Sequence, residues 1–306
     1  MLTTLLYWLD SLVVAITKIG PDDGHIWQSE AAVRAFFAIV LVSLVAGAVG
    51  ALVVSNRMAF FSDALAHCAF AGVALGLFIA LLTGMVSEDF RHWITFIMIL
   101  FGIGFGLLIA FVHERSSLPS DTVIGVFFAA ALGLGAIFSK AVRSKSIKLF
   151  DVESFIFGDP LQTENEDILW LLLLVVLTGL FLFFCYNALL FGSFNDSLAR
   201  SRRVPARLAR YLFIILLGVI VNLSYQTVGV LLINGLLIVP GATACNLSRN
   251  MRQILWLSLA IAVFCGVGGM WLSWDIGNYF GIKIGIGGTV LVLSVLMFTL
   301  SMLVRK

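Results

Sequence analysis

Charge is scarce in this sequence. Only 12% of its 306 residues are Asp, Glu, Lys or Arg, about half the roughly 25% of a typical soluble domain. So little charge cannot cover a water-facing surface, and no long polar stretch is available for a separate soluble domain. Cysteine is also sparse: Cys68, Cys185, Cys245 and Cys265 lie singly in or near apolar segments. With no CxxC pair, a thiolate zinc site is not expected, and these residues read as reduced packing groups. No GxxxxGK[ST] pattern occurs, so any ATP hydrolysis belongs to another chain. The four histidines (His25, His67, His92, His113) are scattered and form no H-E-x-x-H, which leaves an intramembrane metalloprotease without its motif. The net charge of +2 comes without a basic tail or aromatic–basic interleaving, so nucleic acid is not an expected partner. A cleavable signal peptide is not expected either. The apolar run 2–16 is interrupted by Asp10 and has no basic residues ahead of it.

What the sequence has in abundance is apolar residues, 61% of the chain. They fall into runs separated by polar clusters, which predicts an all-α, polytopic membrane bundle of roughly nine transmembrane helices (8–10). The expected spans are 31–54, 58–82, 94–112, 122–138, 168–190, 211–223, 228–239, 254–274 and 287–303. The hinge Ser224-Tyr225-Gln226-Thr227 is expected to join the sixth and seventh spans. Pro240-Gly241 is expected to end the seventh, with a short mixed segment after it. Residues 1–30 form an N-terminal segment ahead of a single membrane domain, 31–306. The run 2–16 either lies in the interface or adds a tenth span, with the balance toward a tenth span.

Cations orient this set. Arg57, Arg115, the arginines from Arg200 to Arg210, Arg249, Arg252 and the terminal Arg305-Lys306 belong on the cytoplasmic side. Nine spans satisfy that when residue 31 starts outside. The stretch Lys140 to Lys148 is the exception, since the scheme places it outside.

Ionisable residues inside a bilayer cost roughly 2.5–3.5 kcal/mol each on insertion scales, so they must face a partner, a cavity or an ion. Asp63 and His67 are four residues apart in the second span and therefore share a helix face. A carboxylate oxygen and an imidazole nitrogen there are half a site for a borderline divalent cation. The same spacing also suits an Asp–His hydrogen bond inside the bundle, or Asp63 capping its helix. Asn234 is a candidate oxygen ligand or a helix–helix hydrogen-bonding group. Asp275 sits at the expected outer end of the eighth span. The loop with Glu88, Asp89 and His92, and the group Asp22, Asp23 and His25, read as solvated.

Several stretches together resemble one family, the permeases of bacterial zinc/manganese/iron(II) ABC transporters, known as ABC-3. Residues Arg57-Met58-Ala59-Phe60-Phe61-Ser62-Asp63-Ala64-Leu65-Ala66-His67 resemble its R-x-x-x-x-G-D-x-x-(S/A)-H element. Gly72-Val73-Ala74-Leu75-Gly76 and Asp121-Thr122-Val123-Ile124-Gly125 match later elements. Phe155-Ile156-Phe157-Gly158-Asp159 is similar to Y-L-F-G. Val228-Gly229-Val230-Leu231-Leu232 and Leu236 to Ala244 resemble V-G-x-L-(L/I)…L-L-(I/V)-x-P-A-A-T-A. The matches run in order from Arg57 to Arg252. Ser62 stands where the family usually has glycine, and Gly241 where it has alanine. Asp275 lacks the P-(S/A)-G element that usually follows the family's carboxylate.

The resemblance implies a fold related to type II ABC importer permeases and a permease subunit with no catalysis of its own. It implies a dimer with a second copy or a related permease, a cytoplasmic ATP-binding subunit dimer, and an extracellular metal-binding protein. Asp63 and His67, with Asp275 and Asn234 as candidates, would line a path for transported Zn2+, or Mn2+ or Fe2+, with no cofactor bound permanently. The Asp63–His67 region most resembles zinc permeases, which favours zinc. The segment with Pro240, Gly241, Arg249 and Arg252 would couple to the ATPase. An ion-coupled secondary transporter using the same carboxylate is the main alternative. A vitamin B12 or siderophore permease fits less well, because a large ligand needs a mostly neutral cavity.

Overall fold

Long apolar runs fold as helices in a bilayer because every backbone N–H and C=O must be satisfied within the segment. A computed structural model describes residues 2–19, 27, 29–84, 90–143, 159–194, 202, 204–281 and 284–304. Among these residues are ten α-helices and no strand. They are α1 (Leu2–Ile19), α2 (Glu30–Ser55), α3 (Ala59–Thr83), α4 (Phe90–Arg115), α5 (Ser120–Arg143), α6 (Asn165–Phe194), α7 (Ala206–Val228), α8 (Val230–Leu247), α9 (Met251–Phe280) and α10 (Ile286–Val304). Among the described residues, nine helices, α2 to α10, are long and apolar enough to cross a membrane; α1 is not among them. Each expected span is present; most ends move outward by one to several residues, while the starts of α3 and α8 move inward by one and two.

Contacts divide the chain into two units. One holds Met1–Val54, Ile156–Leu180 and Gln226–Lys306; the other holds Ser55–Phe155 and Phe181–Tyr225. In the first, α8, α9 and α10 pack mutually, and small residues let α2 lie against them. A Cβ on Gly241 of α8 would sit 2.7 Å from the Gly50 carbonyl oxygen of α2, so the two backbones touch. That contact explains why glycine replaces the family's usual alanine at 241. Hydroxyls and amides then tie the helices together. Ser258 donates to the Gly47 carbonyl (2.7 Å), Thr289 to the Gly269 carbonyl (2.9 Å) and Asn246 to the Ser301 hydroxyl (3.1 Å). Each such bond is worth about 0.6 kcal/mol in a membrane bundle. In the second unit, α3 is central and packs on α4 and α5. At Gly72 a Cβ would sit 2.9 Å from the Met98 Cα of α4.

Two expected breaks fall elsewhere. The Ser224–Thr227 hinge is absorbed into α7, which continues to Val228. Asn222, Ser224 and Thr227 are buried, and Asn222 donates to the Gly218 carbonyl of its own helix (2.6 Å). A polar side chain that bonds back along its helix does not interrupt it. The break comes at Gly229, whose φ of 81° and ψ of 161° lie in a region open essentially to glycine.

Pro240 likewise does not end the seventh span but lies inside α8, which runs on to Leu247. Proline removes one backbone donor. Ending the helix there would leave several groups unpaired in hydrocarbon at several kcal/mol each, so continuation costs less. The Thr243 hydroxyl also donates to the Val239 carbonyl one turn away (2.8 Å).

Candidate metal pathway

The local sequence sets up α3 to present Asp63 and His67 on a mostly dry helix. Arg57 takes a left-handed conformation (φ 56°) in the turn between α2 and α3, a strained position for a residue with a Cβ. Met58 is the N-cap residue and offers no side-chain bond, so Asp63, five residues into α3, is not the cap. Ser62, at the family's usual glycine position, is fully buried. Its hydroxyl donates to the Ala59 carbonyl (2.8 Å). The polar group is thereby satisfied within its own turn, which is why the replacement is tolerated.

On this helix Phe61, Ala64, Leu65, Ala66 and Cys68 are buried. The Asp63 and His67 side chains are not: they keep 43% and 33% exposure, with His67 Nε2 4.0 Å from Asp63 Oδ1. That distance is within ion-pair range but beyond a hydrogen bond, which needs about 2.7–3.2 Å. The imidazole is steadied by an edge-on contact with Phe128 of α5, ring centroids 4.8 Å apart. Two donors each about 2.1 Å from one cation lie roughly 3–3.4 Å apart at ordinary coordination angles. A small side-chain rotation takes the pair from 4.0 Å to that spacing. The alternative of an Asp–His hydrogen bond closed on itself is not what the geometry shows. Among the described residues no group of three or more His, Cys, Asp or Glu gathers into a fuller metal site.

The other sequence-derived candidates belong to the first unit. Asn234 is half-buried on α8. Asp275 is exposed, not at the end of its helix but more than a turn before the end of α9 at Phe280. The chain then turns at Gly281 (φ 66°), and Ser273 secures that turn by donating to the Ile284 carbonyl (2.7 Å).

Pro240 and Gly241 are buried in α8, while Arg249 and Arg252 are exposed at the α8–α9 junction. The junction is a tight turn rather than a short separate helix. Ser248 N–H donates to the Ala244 carbonyl (3.0 Å), the Ser248 hydroxyl bonds Gln253 Oε1 (2.7 Å) and Asn250 N–H donates to the Ser248 hydroxyl (3.2 Å). Beneath it Ala51, Ala244 and Ile254 form a small apolar cluster with Cys245, Met251, Leu255 and Leu257, which pins the turn to α2. The Glu88–Asp89 loop, Asp22, Asp23 and His25, the Phe155–Gly158 motif, Arg200 and Arg203 lie outside the described residues, as does the His92 side chain.

One cluster was not anticipated from sequence. Glu114 at the end of α4 accepts from Arg207 (2.5 Å) and from the Tyr211 hydroxyl (2.9 Å) at the start of α7. The partners are more than ninety residues apart. The only sequence signal was that Arg207 and Tyr211, four apart, share a helix face.

Nine candidate spans among the described residues define a multi-pass helical membrane protein. Over residues 28–305 the chain matches the ABC 3 transport family, and it belongs to that family. It is 30% identical over 244 residues to the manganese transport system membrane protein MntC of Halalkalibacterium halodurans, covering 78% of this chain and 77% of that one. The high-affinity zinc uptake system membrane protein ZnuB of Haemophilus influenzae is 25% identical over 269 residues, covering 87% and 95%. Among solved structures, PsaBC from Streptococcus pneumoniae in complex with Fab is similar at a TM-score of 0.71 and 26% identity, over 94% of this chain and 95% of that chain.

Proposed function

We propose that this chain is the membrane-spanning permease subunit of an ATP-driven importer of a divalent transition metal, with Asp63 and His67 as ligands on the path. The observation that carries the reading is the pair itself. Two ionisable side chains on one face of a membrane-spanning helix stay part-exposed, with Nε2 and Oδ1 4.0 Å apart, which leaves both donors accessible to an incoming cation. The carboxylate and imidazole replace part of the hydration shell of the ion. Two protein ligands hold it weakly enough to be released again. Relatives named for manganese and for zinc support a metal as cargo. The donor set suits both ions, and the lean toward zinc rests on the motif around Asp63 alone.

ATP hydrolysis falls to a separate cytoplasmic subunit pair, a second permease completes the pathway, and an extracellular binding protein delivers the ion. The α8–α9 turn, with exposed Arg249 and Arg252, is the proposed contact with the ATPase. An uptake panel of manganese, zinc and iron(II) in vesicles holding the complete transporter tests this reading. Uptake should require ATP hydrolysis. Transport that runs on a proton gradient without the ATPase would establish the secondary-transporter alternative instead. In the same assay, Asn234→Ala and Asp275→Ala report whether either residue adds a donor.

A further inference from the structure

The amino-terminal helix α1 is eighteen residues long, enough on length alone for a short span. Its pattern is different. At 100° per residue, Tyr7, Asp10, Ser11 and Thr17 fall on one arc, interrupted only by Val14, while Leu6, Leu9, Leu12, Val13 and Ile16 fall on the other. A helix with one mostly polar side suits an interface better than the hydrocarbon core. Burial divides α1 into three sectors. Val13 is fully buried against the chain, Leu12 is 48% exposed on the apolar arc, and Tyr7 is 77% exposed on the polar arc. Asp10, halfway along α1, accepts a hydrogen bond from the Asn165 amide (2.9 Å). Asn165 is the first residue of α6, and the cation count puts that end of α6 on the outer side.

A spanning α1 would carry its midpoint, and Asp10, to the middle of the bilayer. The bond to Asn165 holds that midpoint at the mouth of a neighbouring span instead. We infer that α1 is an interfacial helix lying flat on the outer leaflet. One flank rests on the protein, its Leu12 side is sunk among lipid chains at the headgroup boundary, and its Tyr7–Ser11 side faces water. This replaces the tenth span favoured from apolar content. The partner of the free apolar flank is the lipid surface itself.

Three substitutions on one register decide the matter: Thr4→Cys, Ser11→Cys and Lys18→Cys, each made with Cys185→Ser and Cys245→Ser to remove the half-exposed thiols. In a helix the outer two are about 21 Å apart along the axis. Right-side-out vesicles are treated with a membrane-impermeant maleimide, and the parent without the new cysteine sets the background. All three positions should react from outside at rates within about fivefold of one another, and Leu12→Cys at least about tenfold more slowly. Protection of Ser11→Cys with Thr4→Cys and Lys18→Cys reactive from opposite sides would mean that α1 spans. Reaction of all three only after permeabilisation would place α1 on the inner face, and protection of all three throughout would deny it a water-facing side. Any of these results overturns the proposal. Gel-filtration profiles matching the parent confirm that each variant is folded when labelled.

Discussion

Helices α2 and α3 each carry one pair of ionisable residues four apart, and the two pairs behave differently. On α2, Arg34 and Glu30 meet at 2.9 Å in the first turn of the helix. That closed pair neutralises itself and is an ordinary helix-surface contact. On α3, His67 and Asp63 stop 4.0 Å apart, without a hydrogen bond, on a helix whose neighbouring side chains are buried. Spacing is the same in both cases; closure distinguishes them. A closed pair serves the helix that carries it, whereas the wider α3 pair leaves both groups part-exposed.

Substitutions can sharpen or break this contrast. The largest structural effect is expected away from both pairs, at Gly50→Leu on α2. A Cβ there collides with the Leu237 carbonyl of α8, and overpacking costs about 1–3 kcal/mol or more. A sharp loss of monodisperse protein in detergent would confirm that packing, not charge, holds α2. Next comes Gly229→Ala, which places a side chain at φ 81° for about 1–3 kcal/mol, read as a lower melting temperature.

His67→Leu should leave melting unchanged or raise it slightly, because the imidazole has no hydrogen bond to lose and contacts Asp63 at 4.0 Å and the Phe128 ring. A large drop in melting temperature would make the α3 pair structural and erase the contrast. The smallest effect is expected for Glu30→Gln, about 0.2–0.5 kcal/mol, with metal uptake intact.

Much of the architecture was legible because hydrocarbon enforces it. Nine apolar runs of sufficient length had to be helices, and the structure moves only their ends. Breaks were less legible. Pro240 and the run Ser224–Thr227 look like interruptions in one dimension, but α8 continues through the first and α7 buries most of the second. Gly229, one glycine among 28, gave no local sign that it would part α7 from α8. At the site, i,i+4 spacing placed Asp63 and His67 on one face. Neither their separation nor the Phe128 contact could be read, since those depend on how α5 packs on α3. The Glu114–Arg207–Tyr211 cluster was hidden for the same reason.

The central claim is that the part-exposed Asp63–His67 pair on α3 carries the cargo. The direct measurement is ATP-dependent uptake of radioactive manganese and zinc by proteoliposomes holding the complete transporter, with Asp63→Asn and His67→Gln beside the unaltered chain. Both variants should assemble and melt normally while uptake falls at least about 10-fold, the lower end of what losing even an outer-shell partner of a metal typically costs. Uptake at the unaltered rate in both variants would contradict the account.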